Sequence, residues 1–165
     1  MKWRRILLAL AVALLLLLAG LLLAARAGAF AGRPPADTGL PEGRLRPPSP
    51  TPNSVSSRAD DWPDHPQRAY ARIAPLRVTG DPAQALDRLA AAIEAMDGRV
   101  VERRGDGLRA EFTTRWLRFV DDTDFVLDRE RGVIDLRSAS RLGRRDFGAN
   151  RARIEALRAR LQAAP

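Results

Sequence analysis

Three aspartates lie close together in a stretch that otherwise has the alternating pattern of a β-strand. They are Asp121, Asp122 and Asp124. Aspartate is depleted in strands and neighbouring carboxylates repel each other, so the cluster needs an explanation. It predicts a cation site or an acid–base pair, or alternatively a hairpin loop or ion pairs with nearby arginines. In a regular strand Asp122 and Asp124 share one face, whereas Asp121 shares the other face with Phe119 and Phe125.

A second group of polar residues lies at the end of a later predicted strand. Arg137, Ser138, Ser140 and Arg141 supply two guanidiniums and two hydroxyls, and Asp146 follows them. Arginine binds phosphate and carboxylate through paired hydrogen bonds, so this group predicts an anion site. The alternative is that the arginines pair with the aspartates on a neighbouring strand. Serine nucleophile chemistry is poorly supported, because the sequence places no histidine or lysine base nearby.

Asn150 and Arg153 belong to the predicted last helix. Asn150 interrupts the apolar stripe of that helix, and a buried amide must be hydrogen-bonded. We expect Asn150 to bond the backbone of the loop at residues 140–145, with a ligand contact as the alternative. Arginines that flank an apolar stripe, Arg153 among them, are typical of side chains that extend along the helix edge towards solvent.

Hydrophobic spacing predicts the elements that must position these residues. A helix over residues 81–97 is indicated by Asp81 at its N-cap and Pro82 in its first turn. The last helix, over residues 146–162, has a stripe that begins at Phe147. Consecutive strands with short turns pair antiparallel, so the sequence predicts an α+β fold in which an antiparallel sheet carries two helices packed on one face. The predicted strands cover residues 70–78, 99–102, 108–116, 117–128 and 133–140.

The first 27 residues differ in composition from the rest and predict a transmembrane anchor or a signal segment. Residues 6–25 carry no charge, and as a helix they would span about 30 Å, so the lipid bilayer is their expected partner. Basic residues are concentrated before this stretch, which places the N-terminus in the cytoplasm. One interpretation is a single-pass anchor in a bacterial inner membrane with the C-terminal domain in the periplasm. The alternative is cleavage before Gly28 and secretion to the periplasm.

Proline dominates the segment that follows. Nine of the twelve prolines lie between residues 31 and 66, and proline removes backbone donors and fixes φ. The sequence therefore predicts a proline-rich linker over residues 28–66, which leaves residues 67–165 for the α+β domain.

The charge of the chain sets limits on its partners. The net charge is +8, but half of the excess lies in the first 30 residues, and the remainder is nearly balanced. Nucleic acid is therefore not an expected partner, and the exported topology also argues against it. The chain has no cysteine and one histidine, which removes thiol chemistry and the usual zinc and Ser–His–Asp sites. No cofactor is predicted, and neither a metal nor an oligomeric state is assigned.

Several short motifs in this chain occur in the order and spacing of a known family. They are Arg118-Phe119-Val120-Asp121-Asp122, the run Val133–Arg141, and Gly143, Asp146, Gly148 and Asn150–Ile154. Over about residues 48–163 the chain resembles the domain of unknown function 1499 family (DUF1499). The resemblance implies no reaction. Family members commonly have cysteine where this chain has Ser49 and Ser54, which implies a paired role for the two positions.

These observations predict a membrane-tethered, periplasm-facing accessory or ligand-binding domain. The alternatives are a carboxylate- or metal-dependent envelope hydrolase and a structural envelope scaffold. No catalytic residue is assigned, and the partner class expected at the site is an anionic small molecule or lipid. The ligand-binding candidates are expected to converge on one polar locus; they are Asp121, Asp122, Arg137, Ser138, Ser140, Arg141, Asp146, Asn150 and Arg153.

Overall fold

The computed structural model describes residues 2–36, 40, 43–78 and 80–163. The chain begins with one long helix and continues into a sheet domain, as the sequence predicts. The elements, in chain order, are α1 (Lys2–Arg26), β1 (Ser54–Ser56), α2 (Arg68–Ala71), β2 (Leu76–Arg77), α3 (Ala85–Glu94), β3 (Gly98–Arg104), β4 (Gly107–Thr113), β5 (Val120–Asp128), β6 (Val133–Ser140) and α4 (Ala149–Ala163).

Helix α1 is long and apolar enough to cross a bilayer, and within the described ranges it is the one helix that is. Its leucines are exposed along nearly its whole length. Isolated apolar side chains on every face are unfavourable in water. The helix is therefore compatible with membrane tethering.

The sheet is antiparallel throughout, with the strand order β1-β6-β5-β4-β3. The short strand β2 pairs with the first residues of β6, whereas β1 pairs with its last residues. Strand β5 is therefore the central strand, and β6 lies between it and the short strands β1 and β2. Together, β5 and β6 carry most of the predicted site residues, so the sheet fixes the position of the site.

Helices α3 and α4 pack on the same face of the sheet, which confirms the predicted α+β fold. Asp81 caps the turn that leads into α3, where its carboxylate accepts a hydrogen bond from the Ala83 N–H at 2.9 Å. One apolar cluster joins the two helices to the sheet, with Leu89, Ile154 and Phe125 at its centre. We call this face the inner face.

Gly98 allows the edge strand β3 to approach the core closely. A Cβ atom at this position would lie 2.5 Å from the ring of Phe112 and 2.7 Å from Ile93. Gly98 therefore serves packing, since any larger residue would displace an aromatic ring in the core.

The opposite, outer face of the sheet is covered by the proline-rich segment. Leu40 is 3% exposed and lies against Gly107. Arg46 contacts Asp124, and the Pro47 carbonyl accepts a hydrogen bond from Arg137. We call residues 32–36, 40 and 43–49 the strap.

The structure thus corrects the predicted linker over residues 28–66. Proline rules out a helix or a central strand, but it does not prevent an extended chain from packing on a sheet. Ser54–Ser56 form the edge strand β1, and the strap is partly buried, so the packed domain begins well before residue 67.

Three local predictions are wrong. The predicted strand at 70–78 is helical at its start and pairs with β6 only at Leu76–Arg77. Strand β4 ends at Thr113, so Trp116 lies in a loop. Phe147 lies outside α4 and is fully exposed instead of joining its stripe. Phe147 was assigned to the apolar stripe of the helix from its spacing alone.

Leu40 tests whether the strap is part of the fold. Replacing it with alanine is expected to lower the free energy of unfolding by about 2–3 kcal/mol, because the substitution leaves a cavity against the sheet. Pro34→Ala, at an exposed position of the same segment, is the control, with an expected change of at most about 0.5 kcal/mol. Urea denaturation measures both. Equal, small effects would show that the strap is a solvated linker.

Candidate functional site

The pleat of the sheet divides the predicted site residues into two groups. On the inner face, beneath α4, lies the inner network of Asp121, Ser138, Ser140, Asp146, Asn150 and Arg153. On the outer face, beneath the strap, lie Asp122, Arg137 and Arg141. The expectation of one polar locus is therefore corrected. Successive residues of a strand point to opposite sides, so Asp121 and Asp122 cannot reach the same locus.

Asn150 is the centre of the inner network and is fully buried. Its carboxamide oxygen accepts hydrogen bonds from the Ser138 hydroxyl at 2.6 Å and from Arg153 at 3.0 Å. Its carboxamide nitrogen lies 3.1 Å from the Asn53 carbonyl and 2.9 Å from the Asp146 carboxylate. The predicted backbone partner in the loop at residues 140–145 is thus replaced by the backbone of residue 53, just before β1.

Asp146 holds the start of α4. Its carboxylate accepts hydrogen bonds from the backbone N–H groups of Gly148 and Asn150, both at 3.1 Å, and from the Tyr70 hydroxyl at 2.5 Å. Burial acts to raise the pKa of Asp146, but these donors outweigh it and hold the pKa below its ordinary value. Burial and the neighbouring carboxylate raise the pKa of Tyr70.

Arg153 and Asp121 complete the inner network. The guanidinium of Arg153 donates to the Asp121 carboxylate at 2.6 Å and lies 4.8 Å from the ring centroid of Phe112. Arg153 therefore turns inward, contrary to the expectation that it extends towards solvent. All the polar groups that define this network have partners within the protein, so it ties α4 to the sheet and presents no open chemistry.

On the outer face, Asp122 lies between two arginines. Arg109 donates to its carboxylate at 2.7 Å, and Arg141 donates to it at 2.8 Å. Burial acts to raise the pKa of Asp122, but hydrogen bonds from Arg141 and Arg109 outweigh it and keep the pKa below its ordinary value. Arg141 also donates to Glu111, and its own pKa is raised by these bonds. The prediction that arginines pair with the aspartates is confirmed for this pair.

Asp124 lies deeper on the same face. Burial raises its pKa, although the Arg46 guanidinium donates to it at 3.0 Å. One carboxylate oxygen has no hydrogen-bond partner among the described residues, and Arg109 is 3.8 Å from it. The cation-site interpretation of the three aspartates finds no support, because each contacts an arginine and the described ranges hold no cluster of three metal-binding side chains.

Arg137 differs from the other arginines of the outer face. It is 6% exposed, and its guanidinium donates to two neutral acceptors, the Pro47 carbonyl at 2.9 Å and the Ser49 hydroxyl at 3.2 Å. No carboxylate of a described residue lies within ion-pair distance of it. Burial, together with the neighbouring Arg46, lowers the pKa of Arg137 to about 10. A buried guanidinium without a carboxylate partner is an incomplete electrostatic arrangement.

A small cavity opens beside Arg137 between the strap and the sheet. Its volume is about 190 Å³. Four of its eight lining residues are arginines, and one is acidic. We call it the arginine pocket; it is lined by Arg33, Pro35, Arg46, Asp122, Arg137, Ala139, Ser140 and Arg141.

Sequence reasoning did not identify Arg33, Arg46 and Arg109 as members of this region. Arg109 could have been found, because it is a charged residue in the alternating pattern of β4 opposite the aspartates of β5. Arg33 and Arg46 could not, because they lie in the segment that was assigned to the linker. Only the packing of the strap brings them to the sheet.

A larger cleft of about 560 Å³ lies at the opposite end of the sheet and contains none of the predicted site residues. Its lining includes Trp62 and charges of both signs. These charges are mostly paired with each other, as in Arg58 with Asp61 and Arg129 with Asp106. The lining holds three arginines and five carboxylates, so the cleft offers no excess of positive charge to an anion.

Ser49 and Ser54, the two positions for which the family resemblance implies a paired role, are neighbours in space. The Ser49 N–H donates to the Ser54 hydroxyl at 2.8 Å. This hydrogen bond fixes the strap to β1 just beside Arg137.

Asn150 is expected to be the most sensitive position of the inner network. Asn150→Ala removes the buried hydrogen bonds that its amide makes to Ser138, Asp146 and Arg153, and should lower the free energy of unfolding by about 3 kcal/mol. Glu155→Ala, on the exposed side of the same helix, should change it by at most about 0.5 kcal/mol. Chemical denaturation compares them. A loss below about 1 kcal/mol for Asn150→Ala would contradict the role assigned to this residue.

The lowered pKa of Asp146 predicts how stability depends on pH. A carboxylate that is stabilised in the folded state contributes fully at neutral pH, and the contribution is lost as the pH falls from about 4 through the folded pKa. Asp146→Asn should therefore be less stable at pH 7 and should lose less stability than the wild type between pH 4 and 2. Tyr70→Phe removes one donor and should give an intermediate slope. Denaturation at pH 7, 4 and 2 measures this; identical slopes in all three proteins would refute it.

The comparisons with known proteins agree with the motifs in the sequence. The family described as "Protein of unknown function (DUF1499)" matches residues 44–161. No curated protein and no solved structure matches the chain. The matched range begins within the strap and includes both polar networks. Because it covers more than half of the chain, this protein belongs to the DUF1499 family, whose members have no assigned function.

Proposed function

We propose that this protein is a membrane-tethered domain that binds an anionic group, a phosphate or a carboxylate, in the arginine pocket. The observation that carries the proposal is Arg137, a buried guanidinium whose hydrogen-bond acceptors are neutral. An anion beside it would supply the missing negative charge, and Arg141 and Arg46 would share it. Arginine suits this role because its planar fork matches the oxygens of phosphate and carboxylate.

The size of the pocket limits what it accepts. Sites for whole organic ligands are commonly 300–1,000 Å³, and this pocket has about 190 Å³. It has room for a single phosphate or carboxylate with a small substituent. The rest of a larger ligand, such as the acyl chains of a lipid or a longer polymer, would remain outside. The domain is therefore proposed as an accessory or binding module and not as an enzyme.

The proposed location is a bacterial inner membrane, with α1 as a single-pass anchor and the domain in the periplasm. Two features support it: the length and apolar composition of α1, and the basic residues that precede its apolar stretch. The strap begins only a few residues after α1, so an intact anchor would hold the arginine pocket close to the membrane.

Binding of a simple anion tests the proposal. Isothermal titration of the full chain in detergent micelles with inorganic phosphate, at constant ionic strength, should show saturable binding. Arg137→Gln should weaken it about tenfold or more, since a charged hydrogen bond is worth roughly 1.5–3 kcal/mol. Arg103→Gln, whose side chain pairs with the exposed Asp87, is the matched control and should bind like the wild type.

A second variant covers the case in which Arg137→Gln does not fold. Arg33 is exposed, lines the pocket and has no ion pair to another described residue, so Arg33→Gln should fold normally and still weaken phosphate binding. Equal affinities of the wild type and both variants, or no saturable binding of phosphate and acetate at all, would reject an anion site here.

A further inference from the structure

Two loops at one end of the sheet present large apolar side chains to solvent. The loop of residues 114–119 joins β4 to β5, and the loop of residues 141–148 follows β6. The register places them side by side, because Thr113 pairs with Val120 and Asp121 pairs with Ser140. Their most exposed apolar residues are Trp116 at 66%, Phe147 at 94% and Leu142 at 40%.

The exposed charge of these two loops has a single sign. Four exposed arginines belong to the same two loops: Arg115, Arg118, Arg144 and Arg145. The one acidic residue of the loops is Asp146, which is buried in the inner network and caps α4. A surface that combines exposed aromatic rings with unopposed positive charge matches the region where lipid headgroups meet acyl chains.

The backbone holds two of these residues in an unfavourable conformation. Phe147 and Arg118 have φ angles of 52° and 58°, in the left-handed region that bulky residues rarely adopt. Phe147 has a strained backbone and an exposed ring, so it contributes little to the stability of the isolated domain. Strained backbone positions cluster at functional sites, and exposed apolar patches mark interaction surfaces.

The loop of residues 114–119 lies close to the end of helix α1. Helix α1 ends at Arg26, and the ring of Phe30 contacts the ring of Phe119 with their centroids 5.5 Å apart. Four residues span at most about 14 Å. The loop of residues 114–119 is therefore held within a short distance of the end of the helix that is proposed to cross the membrane.

We propose that this end of the domain docks on the bilayer that α1 crosses. Trp116 and Phe147 enter the headgroup region, and the four arginines contact the phosphates of anionic lipids. The proposal rests on the membrane anchoring proposed above and is independent of the arginine pocket. The domain would then have a fixed orientation on the membrane instead of moving freely on its tether.

The three tryptophans of the chain allow a direct test. Trp3 lies in α1, Trp116 lies at the proposed docking end, and Trp62 lines the cleft at the opposite end of the sheet. Three full-length variants each keep one tryptophan and replace the other two with phenylalanine. Each is reconstituted in nanodiscs that contain phosphatidylglycerol and a lipid spin-labelled near its headgroup, which quenches nearby tryptophan fluorescence.

Trp3 and Trp116 should be strongly quenched, whereas Trp62, itself 41% exposed, should not. Quenching of Trp3 with Trp116 at the level of Trp62 would overturn the docking proposal and leave the anchoring intact. Absence of quenching for Trp3 as well would overturn the anchoring, and docking with it.

The role of charge has its own readout. Replacing Arg144 and Arg145 with glutamine, or using nanodiscs of phosphatidylcholine alone, should reduce the quenching of Trp116 severalfold and leave that of Trp3 unchanged, because these arginines act on anionic headgroups. Substituting Arg103 and Arg104, which are exposed and lie at the opposite end of the sheet where β3 turns into β4, is the control. Quenching of Trp116 that ignores both lipid charge and these arginines would contradict the proposed contact.

Discussion

Burial of charge on strands β5 and β6 is the physical constraint on which the rest of the structure depends. Strands β5 and β6 carry carboxylates on both faces of the sheet. Their hydroxyls lie on the inner face, and the guanidinium of Arg137 lies on the outer face. An unpaired buried charge costs several kcal/mol, and removing one partner of a buried pair costs about as much. Each face therefore needs its own cover with complementary groups. Helix α4 supplies it on the inner face, through Asn150 and Arg153, and the strap supplies it on the outer face, through Arg46 and the Pro47 carbonyl.

The two covers differ in how completely they satisfy what lies beneath them. The inner network closes on itself: Asn150 uses both ends of its amide, and Asp146 accepts four hydrogen bonds. On the outer face, the arginine pocket is lined by four arginines and one carboxylate, and Asp124 nearby keeps an oxygen without a donor among the described residues. This difference assigns a structural role to the inner network and leaves the outer face as the candidate for function. A closed network needs nothing further, whereas the proposed anion would add negative charge to a pocket that is lined mainly by arginine.

Local pattern was sufficient for what depends on local chemistry. Strand β6 has the predicted bounds, and the separation of Asp121 from Asp122 onto opposite faces followed from alternation. Asp81 was likewise predicted as a cap, and it caps the turn that leads into α3. Contacts across long sequence separations were beyond this reasoning. Proline indicates which elements a segment cannot form, but it does not indicate that Leu40 packs on Gly107 or that Arg46 meets Asp124, 78 residues away. The prediction for Phe147 was wrong because an apolar residue at the start of a helix was assumed to be buried.

The strap gives these parts a physical connection. It contributes Arg33 and Arg46 to the arginine pocket, while the sheet contributes Arg137 and Arg141. Gly32, at its start, packs so closely on Arg141 that a Cβ atom would lie 2.7 Å from that side chain. An anion held by both sets of arginines binds only when the strap is packed, so by linkage it must stabilise the packed strap. The strap begins a few residues after α1, and its packing therefore sets how far the domain extends from the end of that helix. Occupancy of the pocket would thus stabilise the packed form of the short segment that joins the domain to α1.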